Sequence, residues 1–198
     1  MDAKNIDQLE KSYLEKIWKF QTSNEFKSVL SDSHKSLLDS YEYIYENYDD
    51  KNIIKVAAER IIRFFGYQKL DAINIYSSPL SSDMAIETED AIVCIDAKTI
   101  NMLTNSGDDK AIAPGRNQVS FNNKALHSTM VGDGDYEFKG VYFEPHVKTF
   151  SNNKPILTFF LTINYEDDHI NSSSFKLSHH SLACVPHKYV AREYFDND

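Results

Sequence analysis

The feature that most constrains this chain is an apolar run closed by charges. Ala91-Ile92-Val93-Cys94-Ile95 has the length and β-branched content of a buried strand, and Asp96-Ala97-Lys98 follows it directly. Alternation along a strand puts Asp96 and Lys98 on one face and turns Ala97 to the other. Charged groups at the end of a core strand require a partner or a chemistry. A second carboxylate, Asp83, stands thirteen residues before Asp96. Residues 83–87 read as a strand, and Thr88-Glu89-Asp90 as the hairpin turn into the motif strand, a pairing that brings Asp83 opposite Asp96. Ile73–Tyr76 is a short strand before it, with a turn at Ser77-Ser78-Pro79.

Two carboxylates on neighbouring strands can hold one or two Mg²⁺ ions, which prefer hard oxygen ligands and keep waters and phosphate oxygens in their other positions. Such an ion activates a bound water and neutralises charge developing on a phosphate, and a lysine beside it can donate to the attacking water or to the transition state. Asp83 and Asp96 as metal ligands and Lys98 as the donor thus form one candidate site for phosphodiester cleavage. The plainer reading of Asp83 is a turn or cap aspartate.

Asp83 followed by Asp96-x-Lys98 resembles the PD-(D/E)xK nuclease motif, with Ser82-Asp83 standing where many members have Pro-Asp. The stretch from Asp83 to Leu126 is similar to the equivalent part of the HindIII-like type II restriction endonucleases, in Ile95-Asp96-Ala97-Lys98, in Asn117-Gln118 and in Asn123-Lys124-Ala125-Leu126. That resemblance covers about a quarter of the chain. It implies a Mg²⁺-dependent endonuclease that cuts a specific sequence in double-stranded DNA as a homodimer, two sites serving two strands. It also implies a role for Glu59, because many members carry a glutamate on the helix before the first motif strand; next to Arg60 and Arg63, Glu59 reads equally as a solvated residue.

The length suits one domain with a proper core, and the proportion of apolar and charged residues is that of a soluble globular protein. The charged start after Met1 does not read as a signal peptide, and no apolar stretch approaches a membrane span, so a cytoplasmic location is expected. Two cysteines, Cys94 and Cys184, argue against a disulfide scaffold. A net charge of −9 weighs against general DNA affinity, which comes mostly from Lys and Arg, although acidic clusters away from the groove cost little and a specific nuclease gains from weak binding elsewhere.

Helical spacing of Ile6, Leu9, Tyr13, Leu14, Ile17, Trp18 and Phe20 predicts an amphipathic helix over residues 5–21. Leu37, Leu38, Tyr41, Ile44, Tyr45 and Tyr48 predict another over 33–48, its aromatic face packed on the core. A third runs from Lys51 to Phe65, capped by Asp50 and stopped by Gly66. Residues 1–66 are therefore the mainly helical part, and 67–198 the part that carries the sheet and the DNA-binding surface.

The chain from Thr99 to Gly115 is polar and turn-rich and reads as a mobile loop beside the site. No carboxylate occurs between Lys110 and Gly132, where Lys110, Arg116 and Lys124 occur with Asn117 and Gln118. In so acidic a chain this stretch is the candidate DNA-binding region, Arg116 reaching guanine edges and Gln118 adenine. Residue by residue, a solvated loop and helix start is an equal reading.

Tyr136–Phe143 alternates as a half-exposed strand, and Pro155–Tyr165 is the strongest strand, expected at the centre of the sheet. Glu166-Asp167-Asp168-His169 marks a turn. His179, His180, Cys184 and His187 lack the spacing of a closed zinc site and read as structural residues or substrate contacts. The expected architecture is a single α/β domain, a mixed central sheet flanked by helices with a helical N-terminal third. Beside the restriction endonuclease stand two other functions: a repair or recombination nuclease that reads substrate shape, and a non-catalytic acidic binding or inhibitor protein.

Overall fold

The computed structural model describes residues 1–39, 53–76, 82–102, 106–107, 123–131, 135–143, 150–166 and 176–190. The first helix, α1 (Ala3–Gln21), begins where the Asp2 carboxylate accepts from the Asn5 amide at 2.9 Å, an N-cap that satisfies an otherwise orphaned donor. It buries Ile6, Glu10, Tyr13, Ile17 and Phe20, a stripe of helical period, while Trp18 falls off the stripe and stays 46% exposed.

Helix α2 (Asn24–Asp39) starts well before the position expected for it, because the Ser23 hydroxyl accepts from the Phe26 amide and caps it there. Phe26 and Leu30 are its buried anchors. Residues 40–52, which include the expected Tyr41–Tyr48 face and the Asp50 cap, lie outside the described residues. Helix α3 (Ile53–Lys69) buries Ala58, Ile61, Ile62 and Phe65.

Gly66 does not stop α3, which continues to Lys69 and moves the end of the helical part with it. A Cβ at this position would lie 2.5 Å from the end of the Met84 side chain, so the glycine serves the close approach of α3 to the sheet. The chain turns instead at Asp71, which takes a positive φ of 52°.

The strands are β1 (Asn74–Ile75), β2 (Met84–Glu87), β3 (Ile92–Asn101), β4 (Ser106–Gly107), β5 (Asn123–Val131), β6 (Asp135–Phe143), β7 (Phe150–Ser151), β8 (Lys154–Glu166) and β9 (Lys176–Val185). Seven of them form one mixed sheet along the path β1-β2-β3-β8-β7, with β4 also on β3 and β9 also on β8. β2 and β3 are antiparallel, β3 and β8 parallel, β8 and β9 antiparallel. β8 is central, as expected. Asn152 and Asn153, both at positive φ, turn β7 into β8, a conformation asparagine tolerates.

β5 and β6 form a separate antiparallel pair that includes the expected strand at Tyr136–Phe143. Residues 123–127 are therefore strand, not loop and helix start. β3 likewise runs on to Asn101 and pairs there with β4, so Thr99–Asn101 belongs to the sheet and not to a loop.

The two faces of the sheet differ. Val93, Ile95 and Ala97 of β3 and Leu157, Phe159, Leu161 and Ile163 of β8 pack with Ile6, Ile17, Phe26, Ile62 and Phe65 from the helices into one core. Each of these side chains larger than Ala97 contributes roughly 1.5–3 kcal/mol by leaving water. The intervening residues point away from the helical layer, and the site lies among them.

Candidate active site

Pairing of Met84 with Ile95 places Asp83, the residue before β2, beside the motif segment of β3. The Ala97 amide donates to Asp83 Oδ2 at 2.6 Å, a charge-assisted bond that fixes the carboxylate against the strand carrying the other two site residues. The turn that sets this register is itself tied down. The Thr88 amide donates to the Ala91 carbonyl, and the buried Tyr13 hydroxyl donates to the Asp90 carboxylate at 2.5 Å and lies 2.6 Å from the Thr88 hydroxyl.

Glu87, at the end of β2, is tied to the chain on both carboxylate oxygens. Lys154 Nζ stands 2.8 Å from its Oε1 and donates also to the Thr88 carbonyl, and the Tyr76 hydroxyl donates to Oε2. The lysine bond holds the Glu87 carboxyl below the usual carboxylate range.

Asp96 and Lys98 share the face predicted for them, with Lys98 Nζ 2.6 Å from Asp96 Oδ2 and both side chains largely buried. The motif lies in the middle of a ten-residue strand, not at its end. The apolar run stops at Ile95 because one face of the strand turns polar, while the backbone pairing continues. Burial raises the Asp96 pKa above the ordinary carboxylate value; the hydrogen bond and charge of Lys98 oppose the rise, and the neighbouring Asp83 charge adds to it.

On β8, Asp96 pairs in register with Phe160 and Lys98 with Thr162, and Lys98 Nζ sits 6.0 Å from the Phe160 ring centroid. Thr158, Thr162 and Asn164 are buried polar residues on this same face. Sequence reasoning does not single them out, although three polar residues at even positions in an otherwise apolar strand are the signal. Arg63 is missed as well: its Nε donates to the Asp83 backbone carbonyl at 2.5 Å.

Glu59 is half-buried on α3, one turn before Arg63. Among the described residues no group of three or more His, Cys, Asp or Glu side chains converges in a way that could hold a metal, so Glu59 does not complete such a set with Asp83 and Asp96 there. Two carboxylates with a lysine nonetheless fit Mg²⁺, which takes one or two protein carboxylates and draws its remaining ligands from water and phosphate. The like charges of Asp83 and Asp96, one of them buried, are a donor set that a cation would stabilise.

Of the expected DNA-binding residues, Lys110, Arg116, Asn117 and Gln118 lie outside the described residues. Lys124 is on β5, paired through its backbone with Tyr142. Two of the late histidines, His180 and His187, pack with aromatic rings. His187 is buried at 5.1 Å from Phe150 and 5.4 Å from Tyr189, and His180 meets the edge of Phe26 at 6.1 Å. Cys94 and Cys184 are free thiols. No helix among the described residues is long and apolar enough to cross a membrane.

A mixed sheet with helices on one face and an Asp, Asp, Lys constellation on the other defines a restriction-endonuclease fold. Restriction endonuclease BglI, solved bound to its DNA recognition sequence, superposes with a TM-score of 0.66 at 13% identity, over 98% of this chain and 77% of that one. Tetrameric restriction endonuclease SfiI, solved bound to cognate DNA, gives 0.60 at 13% identity, over 100% and 71%. Comparison with curated protein sequences finds no match. The N-terminal domain of the type II restriction enzyme MwoI matches residues 2–169, and the chain belongs to that family. Its activity is that of a type II site-specific deoxyribonuclease.

Proposed function

We propose that the chain is a Mg²⁺-dependent type II restriction endonuclease in which Asp83 and Asp96 ligate the metal and Lys98 orients or activates the attacking water. The observation that carries this reading is the convergence of the three groups at the β2–β3 junction: Asp83 on the Ala97 amide, and Lys98 Nζ 2.6 Å from Asp96.

When bound, the cation supplies a more acidic water and neutralises charge that develops on the phosphate. The protein's own part is to hold Asp83 and Asp96 on adjacent strands with little freedom to reorganise, which is what electrostatic preorganisation requires. The Lys98 ammonium counters the Asp96 charge and offers donors to a water or a phosphate oxygen on the same face. Burial of this face keeps water from screening these interactions.

Residues 1–198 act in this reading as one nuclease domain. One site per chain calls for two chains to cut both strands, and a homodimer is the simplest assembly that presents two sites to a two-fold symmetric target. Lys110, Arg116, Asn117, Gln118 and Lys124 supply DNA contacts, supported by the absence of carboxylates from their stretch.

The test is incubation of the purified protein with long, sequenced, unmethylated DNA and Mg²⁺, beside EDTA and Lys98→Ala controls, with the ends sequenced. Discrete fragments that need both the metal and Lys98 are expected, and their ends give the recognition sequence. Cleavage that persists in EDTA, or equally in Lys98→Ala, removes the assignment.

A further inference from the structure

Beside Asp83 a cleft of about 230 Å³ opens between α3 and the β1–β2 edge, and Arg63 and Tyr67 line it together with Asp83 itself. Both are exposed, and at a spacing of four residues on α3 they share one face of the helix. The Arg63 Nε–H donates to the Asp83 carbonyl. A guanidinium carries five N–H donors in a fixed fork, of which this bond uses one while holding the exposed group against the Asp83 backbone.

We propose that Arg63 binds a backbone phosphate of the DNA strand next to the scissile one, with Tyr67 beside it, and that its Nε bond couples this contact to the placement of Asp83. The inference rests on the metal-site reading above, which locates the scissile phosphate at Asp83 and Asp96. Three observations carry it. Asp83 lines the cleft, so the cleft lies next to the position that the metal-site reading gives to the scissile phosphate. The planar fork of arginine matches phosphate oxygens in pairs, which a lysine at this position could not do. Moreover, in a chain of net charge −9 a solvent-facing cation beside Asp83 is a local attraction in a repulsive field. In this arrangement Arg63 is a positioning residue for Asp83 and a binding residue for DNA.

The experiment is to measure duplex DNA binding of the full chain across a range of salt, with Ca²⁺ in place of Mg²⁺, for wild type, Arg63→Ala and Arg63→Lys. Single-turnover cleavage in Mg²⁺ is measured in parallel. Loss of one phosphate contact lowers the salt slope by about 0.9, expected in Arg63→Ala and restored in Arg63→Lys, which keeps the charge. Cleavage at saturating DNA is expected to fall roughly tenfold or more in both variants, because neither keeps the planar Nε bond to Asp83. An unchanged slope in an Arg63→Ala protein with wild-type thermal stability overturns the phosphate contact. Loss of stability with an unchanged slope does so too, since that is the signature of a purely structural residue. The metal-site reading is tested separately by Asp96→Ala. If wild type and Asp96→Ala cleave alike while the Arg63 slope difference persists, the metal site fails and the phosphate contact stands.

Discussion

The Asp83 carboxylate accepts from the backbone amide of Ala97, so one site residue is positioned by the peptide bond that lies between the other two. Asp83→Asn keeps an oxygen for that amide and removes only the charge. It is expected to lower metal-dependent cleavage by roughly 10²–10³-fold with little change in stability. Asp83→Ala removes the acceptor as well and leaves a part-buried N–H unmet, which adds a stability loss of about 1–3 kcal/mol. Single-turnover cleavage and thermal denaturation of the two variants separate charge from positioning.

The raised pKa of Asp96 makes cation binding sensitive to pH. Protons compete with the cation for the carboxylate, so a higher pKa means that affinity begins to fall at a higher pH during acidification than for an ordinary aspartate. Lys98 opposes the rise, and Lys98→Ala should move the fall to higher pH still. Calorimetric titration of Ca²⁺ or Mg²⁺ into both proteins across the weakly acidic range reads this directly. Coincident curves for wild type and variant would show that Lys98 has no hold on Asp96.

Glu10 imposes a different pH dependence, on stability. It is buried on α1, accepts from the His187 amide and from the Cys184 thiol, and lines a cavity of about 240 Å³, with Asp7 and Lys11 on its own helix. Burial is the main cause that raises its pKa from 4.5 to about 7. The folded state therefore holds this proton more tightly than the unfolded chain. Its contribution is full below the unfolded pKa of 4.5 and is lost as pH rises to about 7. At about 1.4 kcal/mol per pH unit the ceiling is ~3 kcal/mol, and screening through the cavity reduces the expected loss to ~1–2 kcal/mol. Urea denaturation at both ends of the window should show it in wild type, and Glu10→Gln should flatten it.

Tyr13 ties α1 to the turn that sets the β2–β3 register. Tyr13→Phe leaves the ring in the core and removes the hydroxyl shared by Asp90 and Thr88, so a loss of about 1–2 kcal/mol is expected. A lower urea midpoint at an unchanged slope of free energy against denaturant is the signature sought.

The part of the fold nearest the chemistry was legible in the chain itself. Asp83, the Thr88–Asp90 turn and the alternation of Asp96 and Lys98 are local, and local pattern is what strand period and turn residues encode. What escaped was either non-local or masked by a second signal. Nothing in β3 announces that β8 will lie parallel beside it, so Thr162 next to Lys98 was invisible. The start of α2 at Ser23 was hidden because one serine hydroxyl outweighed a weak apolar pattern. Gly66 carries the same letter whether it ends a helix or lets a methionine approach one, and only the contact with Met84 decides. Arg63 reads as a surface cation until β2 is folded against its helix.

The alternation of β3 has a consequence for how such an enzyme can change. Val93, Ile95 and Ala97 answer to the helices, Asp96 and Lys98 to the proposed site, and the two sets are interleaved one residue apart. Substitution can therefore explore either set while the other is held constant. Insertion or deletion cannot, because a one-residue slip exchanges the faces, sending the two charges into the core and a valine or isoleucine to the opposite face. Drift in this family should thus be generous with letters along the strand and intolerant of any change in its count, a bias that length-varying libraries built across residues 84–98 would expose.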